Sequence, residues 1–156
     1  MRWRRLHDGS PDVTKPSKYN VEVRFSDFDL FGHLNHARYL AYCEEHRSSF
    51  LPEMARHTGI DLLGSGFVIA RIECDYISPL GPSTRLVQVA MIVNKLGRTS
   101  LDVEYAISGK GVSHAKIRSI IILVDRDGSP RPLTDVERTY LSGFQRPDLE
   151  DLNSNV

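Results

Sequence analysis

The sequence predicts an α+β fold, one long helix wrapped by a five-stranded antiparallel sheet, and three observations predict it. A strand-like segment runs directly into a helix-like one; about sixty residues of strand pattern then follow, punctuated by turn residues; and nowhere do strands alternate with helices as a doubly wound sheet requires. The chain has 156 residues, 40% of them hydrophobic, which suits one compact domain with an ordinary core.

The first strand is expected over residues 19–25, where Val21, Val23 and Phe25 alternate with polar residues and fall on one side. A turn-like stretch over 26–35 carries two Asp, a Gly, a His and an Asn. The period then changes. From 36 to 51, Leu40, Cys43, Arg47, Phe50 and Leu51 recur at three- and four-residue steps, and Asn35 is well suited to cap that helix. Pro52 ends the helix or begins a second short one reaching residue 62. Strands follow over 67–78, 84–94, 101–108 and 112–124, separated by Pro79, Gly81 and Pro82, by Gly97, and by Gly109 with Gly111. In the third of these, Leu101, Val103, Tyr105 and Ile107 share one face. A last helix is expected over 134–144, where Thr134 and Glu137 have the capping-box spacing.

Residues 1–18, with Arg2, Arg4 and Arg5, read as a basic N-terminal tail, and residues 146–156, with Asp148, Glu150 and Asp151, as an acidic C-terminal one. The folded domain occupies 19–145. A sheet covered on one face by its own helix needs cover for its edges, so the plan predicts dimerisation.

Composition excludes several function classes. With 20 Lys and Arg against 20 Asp and Glu the chain is formally neutral, which argues against a nucleic-acid coat. No segment approaches the ~20 apolar residues of a membrane span, and the Arg-rich start has no apolar segment behind it, so neither insertion nor export is expected. Two cysteines, Cys43 and Cys74, fit reduced thiols in a cytoplasmic protein better than a disulfide framework. His33, His36 and His46 lack the carboxylate or thiolate that would complete a metal set, and no Gly-x-Ser-x-Gly elbow is present.

The densest polar segment is the entrance to the long helix. Its free N–H groups and dipole favour developing negative charge, and Asp27 or Asp29 would supply a base or nucleophile beside them; a carboxylate facing such a site suits hydrolysis of an activated acyl group without a metal. The same residues also serve as turn and cap residues, and both readings stand on composition alone.

Asp27, Asp29, Gly32, His33 and Asn35, followed by Tyr39, Leu40, Tyr42, Glu44 and Arg47, match the pattern D-x-D-x-x-G-H-x-N-x-x-x-Y-L-x-Y-x-E-x-x-R. This segment resembles hotdog-fold acyl-CoA thioesterases of the 4-hydroxybenzoyl-CoA thioesterase type, and the resemblance extends over residues 19–132, through Tyr76 and Pro79. It implies a hotdog fold, subunits pairing through their sheets with sites at the interface, and hydrolysis of acyl-CoA or acyl carrier protein to acid and thiol. It also implies Asp29 as nucleophile or general base, a carbonyl-polarising N–H on His36, no cofactor, and dimers that leave open a further pairing into tetramers. Asn35 and His33 complete the expected catalytic set, His33 fitting a structural hydrogen bond equally well.

Tyr39 and Glu44 are candidate substrate contacts, although Tyr39 also suits packing and Glu44 also suits an ion pair with Arg47. Arg98 at a turn, and His114, Lys116 and Arg118 on one face of the last strand, are candidate partners for CoA phosphates, or simply solvate the sheet. Two rivals remain: a non-catalytic acyl-CoA-binding or sensing module on the same fold, and a hotdog dehydratase. The dehydratase is disfavoured because no His precedes a Phe-Pro pair.

Overall fold

The computed structural model describes residues 15–61 and 64–146. The expected basic head and the acidic residues from 147 onward lie outside these. In chain order the elements are β1 (Ser17–Glu22), a single 3-10 turn (Phe25–Asp27), α1 (His36–Thr58), β2 (Ser65–Tyr76), β3 (Leu86–Leu96), β4 (Ser100–Gly109), β5 (Val112–Asp125) and α2 (Asp135–Ser142). The five strands form one sheet in the order β1-β3-β4-β5-β2, with every neighbouring pair antiparallel. The α+β hotdog plan is therefore the observed one, with α1 lying on one face of the sheet.

Period decides burial in both kinds of element. The inward positions of β3 (Val87, Val89, Met91, Val93) and β4 (Leu101, Val103, Tyr105, Ile107) are all buried, as are Ile117, Ile121 and Leu123 of β5. Against them α1 turns Tyr39, Tyr42, Cys43, His46, Arg47, Phe50 and Met54. Each buried aliphatic or aromatic side chain contributes roughly 1.5–3 kcal/mol, enough in sum to hold one helix on one sheet. The β4–β5 hairpin turns on Lys110 (φ 50) and Gly111 (φ 77), a two-residue turn with both backbones left-handed.

Three sequence expectations are corrected. Residues 36–58 form one continuous helix through Pro52, closed by Gly59, whose N–H reaches the Ala55 carbonyl at 2.8 Å. The proline removes the partner of the Ser48 carbonyl, but Ser48 lies on the exposed side of the helix, and Phe50 and Met54 anchor the helix on either side. Phe25 does not continue the inward face of β1: the chain turns there, and Phe25 is 90% exposed. The first strand also begins at Ser17, pairing Ser17 and Lys18 with Met91 and Ala90 of β3.

The two outer strands differ. Beyond β1, Phe144 and Arg146 bond Val93 of β3 at 2.9 and 2.8 Å and prolong that side of the sheet. By contrast β2 pairs only with β5 among the described residues, and Val68, Ile72, Tyr76 and the adjoining Ile77 stay exposed along it. No helix among the described residues is long and apolar enough to cross a membrane.

Candidate active site at the entrance of the long helix

The loop leading into α1 is built by its own polar side chains. Phe28 and Leu34 pair across its base, Asp29 N–H donates to the His33 carbonyl at 2.8 Å, and Gly32 N–H returns to the Asp29 carbonyl at 3.1 Å. Gly32 takes φ 73, which a side chain would disfavour. Within this small turn the two aspartates are treated oppositely.

Asp27 is 3% exposed and fully engaged: it accepts from Arg24 N–H at 3.0 Å and from the Tyr42 hydroxyl at 2.8 Å, and pairs with Arg38 at 3.3 Å. Burial first, and then this bond to Asp27, push the Tyr42 hydroxyl far above its ordinary pKa, so Tyr42 remains a donor. Asp29 is exposed. Its Oδ1 accepts from Phe31 and His33 N–H groups at 2.9 and 3.2 Å, which fixes the carboxylate, and Oδ2 has no partner among the described residues. Asp27 holds the loop; Asp29 offers an oxygen.

Asn35 acts as the expected cap, its side chain accepting from Ala37 N–H at 3.0 Å and its carbonyl from Arg38 N–H at 2.9 Å. The His36 N–H has no partner among the described residues, so one donor at the positive end of α1 stays available.

Beside this donor lies an open cleft of about 280 Å³ lined by His33, Leu34, His36, Tyr39, Tyr76 and Ile77. Its far wall is the end of β2. The Tyr76 hydroxyl donates to the His36 carbonyl at 3.1 Å and its ring meets Tyr39 edge-on at 5.3 Å, so the strand and the helix entrance are tied together. Below them, Ser78 is held by the Ser113 carbonyl at 2.7 Å and by His114 Nδ1 at 3.2 Å. Sequence reading left Tyr76 out of the site, although its position at a strand end three residues before Pro79 was a visible signal.

The structure brings His33, His36 and Tyr39 into this cleft, with Asn35 beneath and Asp29 on the adjoining loop. Glu44 is exposed two turns along α1, in a separate shallow groove with Tyr19 and Glu45. It forms no ion pair with Arg47, which points inward and is buried. Arg98 sits at the β3–β4 turn, whereas the cleft adjoins the far end of β4, roughly 30 Å away along a ten-residue strand.

His114 does not share a solvent face with Lys116 and Arg118. It is 5% exposed under the turn following β2, bonded to Ser78. Lys116 pairs with Glu104 at 3.2 Å and Arg118 with Asp102, on the sheet face away from the helix. Arg118 in turn holds the Asp102 carboxyl below the usual carboxylate range. Among the described residues no group of His, Cys, Asp and Glu could hold a metal ion.

Comparison with known proteins agrees with this architecture. A thioesterase from Thermus thermophilus, solved with coenzyme A and Zn, is 29% identical with a TM-score of 0.70, the match covering 85% of this chain and 96% of that one. A thioesterase-superfamily protein from Jannaschia sp. CCS1 is 26% identical with a TM-score of 0.70, covering 80% and 79%. The PA5185 protein of Pseudomonas aeruginosa, 23% identical with a TM-score of 0.73 over 85% of this chain and 94% of its own, shares the fold. The protein YsmA of Bacillus subtilis (strain 168) is 31% identical over 85 residues, 54% of this chain, and the match spans about half (56%) of that relative's length. The family model of the Thioesterase-like superfamily matches residues 23–149, most of the sequence, and the chain belongs to that superfamily.

Proposed function

We propose that this chain hydrolyses the thioester of an acyl-CoA, or of an acyl group on a carrier protein, to free acid and thiol. One observation carries the reading: a fixed, exposed Asp29 carboxylate lies on the same loop as the His36 N–H at the start of a 23-residue helix, and among the described residues its Oδ2 and that N–H have no partner. The thioester carbonyl oxygen points at the His36 N–H, where the helix end stabilises the negative charge that develops on it. Asp29 Oδ2 either attacks the carbonyl carbon, expelling the thiolate and leaving an acyl–aspartate anhydride that water then hydrolyses, or takes a proton from a water that itself attacks the carbon and expels the thiolate; in both routes the thiolate leaves as the thiol once protonated. Asn35 sets the helix start, His33 and the His36 ring flank the water, and Tyr39 borders the acyl group. Likeness to the 4-hydroxybenzoyl-CoA thioesterase type supports this assignment, as does the superfamily match.

A second copy of the chain completes the cleft in this reading. The exposed edge of β2, with Val68, Ile72, Tyr76 and Ile77, supports a homodimer formed along it. Two free thiols, Cys43 and Cys74, support a cytoplasmic setting.

The test is thiol release from short, long and aromatic acyl-CoAs. Saturable turnover of at least one class sustains the proposal. Saturable binding with no thiol released from any of them overturns it in favour of an acyl-CoA sensor.

A further inference from the structure

A backbone donor serves a developing oxyanion only if its direction is fixed, since a misplacement of about 1 Å costs on the order of 10²-fold in rate. On its upstream side the His36 N–H is held firmly. Asn35 N–H donates to the Asp27 carbonyl at 2.9 Å, and the Asp27 carboxylate is itself held by Arg24 N–H and the Tyr42 hydroxyl. Downstream lies the first turn of α1, which carries no acidic residue, and helix ends are where fraying begins.

The body of α1 packs over β1 and β3 and against α2. Toward β2, its first turn is met by Tyr76, forty residues further along the chain than His36. The Tyr76 hydroxyl donates to the His36 carbonyl at 3.1 Å, and its ring stands edge-on to Tyr39 at 5.3 Å with the planes at 76°. A carbonyl has two lone pairs, so it takes this bond without leaving the helix ladder. The two contacts fall on the first and fourth residues of the helix and span its opening turn. Fixing the His36 carbonyl fixes ψ at that residue, and with Asn35 held upstream the His36 N–H is clamped from both sides. Burial, and after it the Cys74 thiol, push the Tyr76 hydroxyl up to about 12, so at neutral pH it keeps the proton it donates.

Stability alone is a poor account of this bond. Tyr76 is 51% exposed, and water serves an exposed hydroxyl almost as well as a carbonyl does. A bond that adds little to folding, placed on the residue that carries the donor, points to a role in turnover.

We propose that Tyr76 is a positioning residue: acting through the His36 carbonyl, it holds the His36 N–H in line with the thioester oxygen and so sets kcat rather than substrate affinity. This rests on the thioesterase reading of the cleft. Every thioester presents the same carbonyl oxygen to the donor, so the effect is common to all acyl groups. A side chain acting only as a wall of the cleft discriminates among acyl groups by their fit.

The test is Tyr76→Phe in the full chain, which keeps the ring against Tyr39 and removes the hydroxyl. For each short, long or aromatic acyl-CoA that the wild type cleaves, kcat is expected to fall about ten- to a hundredfold by a common factor. KM should stay within about twofold and Tm within about 4 °C. An unchanged kcat, an effect confined to KM, or losses differing by more than about threefold among acyl classes overturns the proposal. Backbone ¹⁵N relaxation without substrate tests the clamp apart from hydrolysis. The His36 N–H order parameter is expected near about 0.85 in the wild type and toward about 0.6 in Tyr76→Phe. If the wild type cleaves no thioester yet that order parameter falls in the variant, the clamp stands and the hydrolytic assignment falls. An order parameter that the substitution leaves unchanged overturns the clamp.

Discussion

The two helix N-termini of this molecule are built in opposite ways. At α2, Thr134 accepts from Glu137 N–H at 3.2 Å while the Glu137 carboxylate accepts from Thr134 N–H at 2.7 Å, closing the capping box. Arg131 then binds both oxygens of Glu137, which is fully buried. At α1, Asn35 caps one donor with its side chain, no acidic residue occupies the first turn, and the His36 N–H, beside an open cleft, has no partner among the described residues. One terminus consumes its own positive end to dock a short helix. The other leaves that end available, with Asp29 on the next loop. Both are good helix starts, and they differ in whether the electrostatics are spent internally.

The largest test of this contrast is Asp29→Asn, which keeps an acceptor for Phe31 and His33 N–H but removes the charge. A 10²- to 10⁴-fold fall in thiol-release turnover is expected, on the order of 3–5 kcal/mol of transition-state stabilisation, with melting temperature little changed. Wild-type turnover in a folded variant would make the open terminus catalytically idle.

Glu137→Ala attacks the closed terminus. Leaving Arg131 without its partner in a mostly buried position should cost about 3–5 kcal/mol in denaturant unfolding. Per folded molecule, thiol release should be retained. If activity falls while stability holds, the two termini are not functionally separate.

Asn35→Ala is a smaller probe, expected to cost about 1 kcal/mol and to lower Tm by about 2–4 °C. Thermal unfolding measures it, and a loss as large as that of Glu137→Ala would erase the distinction between an open and a closed start.

Acidification sharpens the comparison further. Burial alone would raise the Glu137 carboxyl, but its bonds to Arg131 and Thr134 outweigh burial and hold it below the ordinary 4.5. A group depressed in the folded state contributes fully above its unfolded value, and that contribution is lost as pH falls through the folded one. His46 acts at higher pH. Burial, only partly offset by the Ser17 carbonyl, lowers its imidazole from 6.5, so the folded state favours the neutral ring and stability declines once pH drops below that value. Each slope is at most about 1.4 kcal/mol per pH unit. Unfolding measured from pH 8 to pH 3 should therefore show two descending arms, the upper absent in His46→Gln and the lower shallower in Glu137→Gln, the remainder of it coming from Asp102, which Arg118 also holds below its ordinary value.

Much of the architecture was legible because it depends on near neighbours in the chain. The alternation Leu101, Val103, Tyr105, Ile107 announces β4, all four being buried, and the Thr134–Glu137 spacing announces the box that forms. Asn35 is the cap its position implies. The misreadings share one cause. Pro52 continues the helix because Phe50 and Met54 are held by distant strands, Phe25 faces solvent because the chain turns before the sheet can bury it, and His114 is covered by a turn thirty-six residues earlier.

The candidate site divides along the same line. From sequence, Asp27 and Asp29 are equivalent carboxylates two residues apart. Only the folded chain brings Tyr42, fifteen residues on, to occupy Asp27 and leaves Asp29 with a free oxygen. Likewise Lys116 and Arg118 look free in the sequence until strand register sets them beside Glu104 and Asp102.

By itself, then, the sequence determined the periods of its elements, the turns between them, the caps of both helices and the polar motif at the entrance of α1, all of which follow from local sterics and hydrogen bonds. Tertiary structure decided which aspartate is occupied, which cations are neutralised and which edge of the sheet has no further strand beside it among the described residues. These depend on residues that meet only when helix and sheet close around a shared core, and no local pattern encodes that meeting.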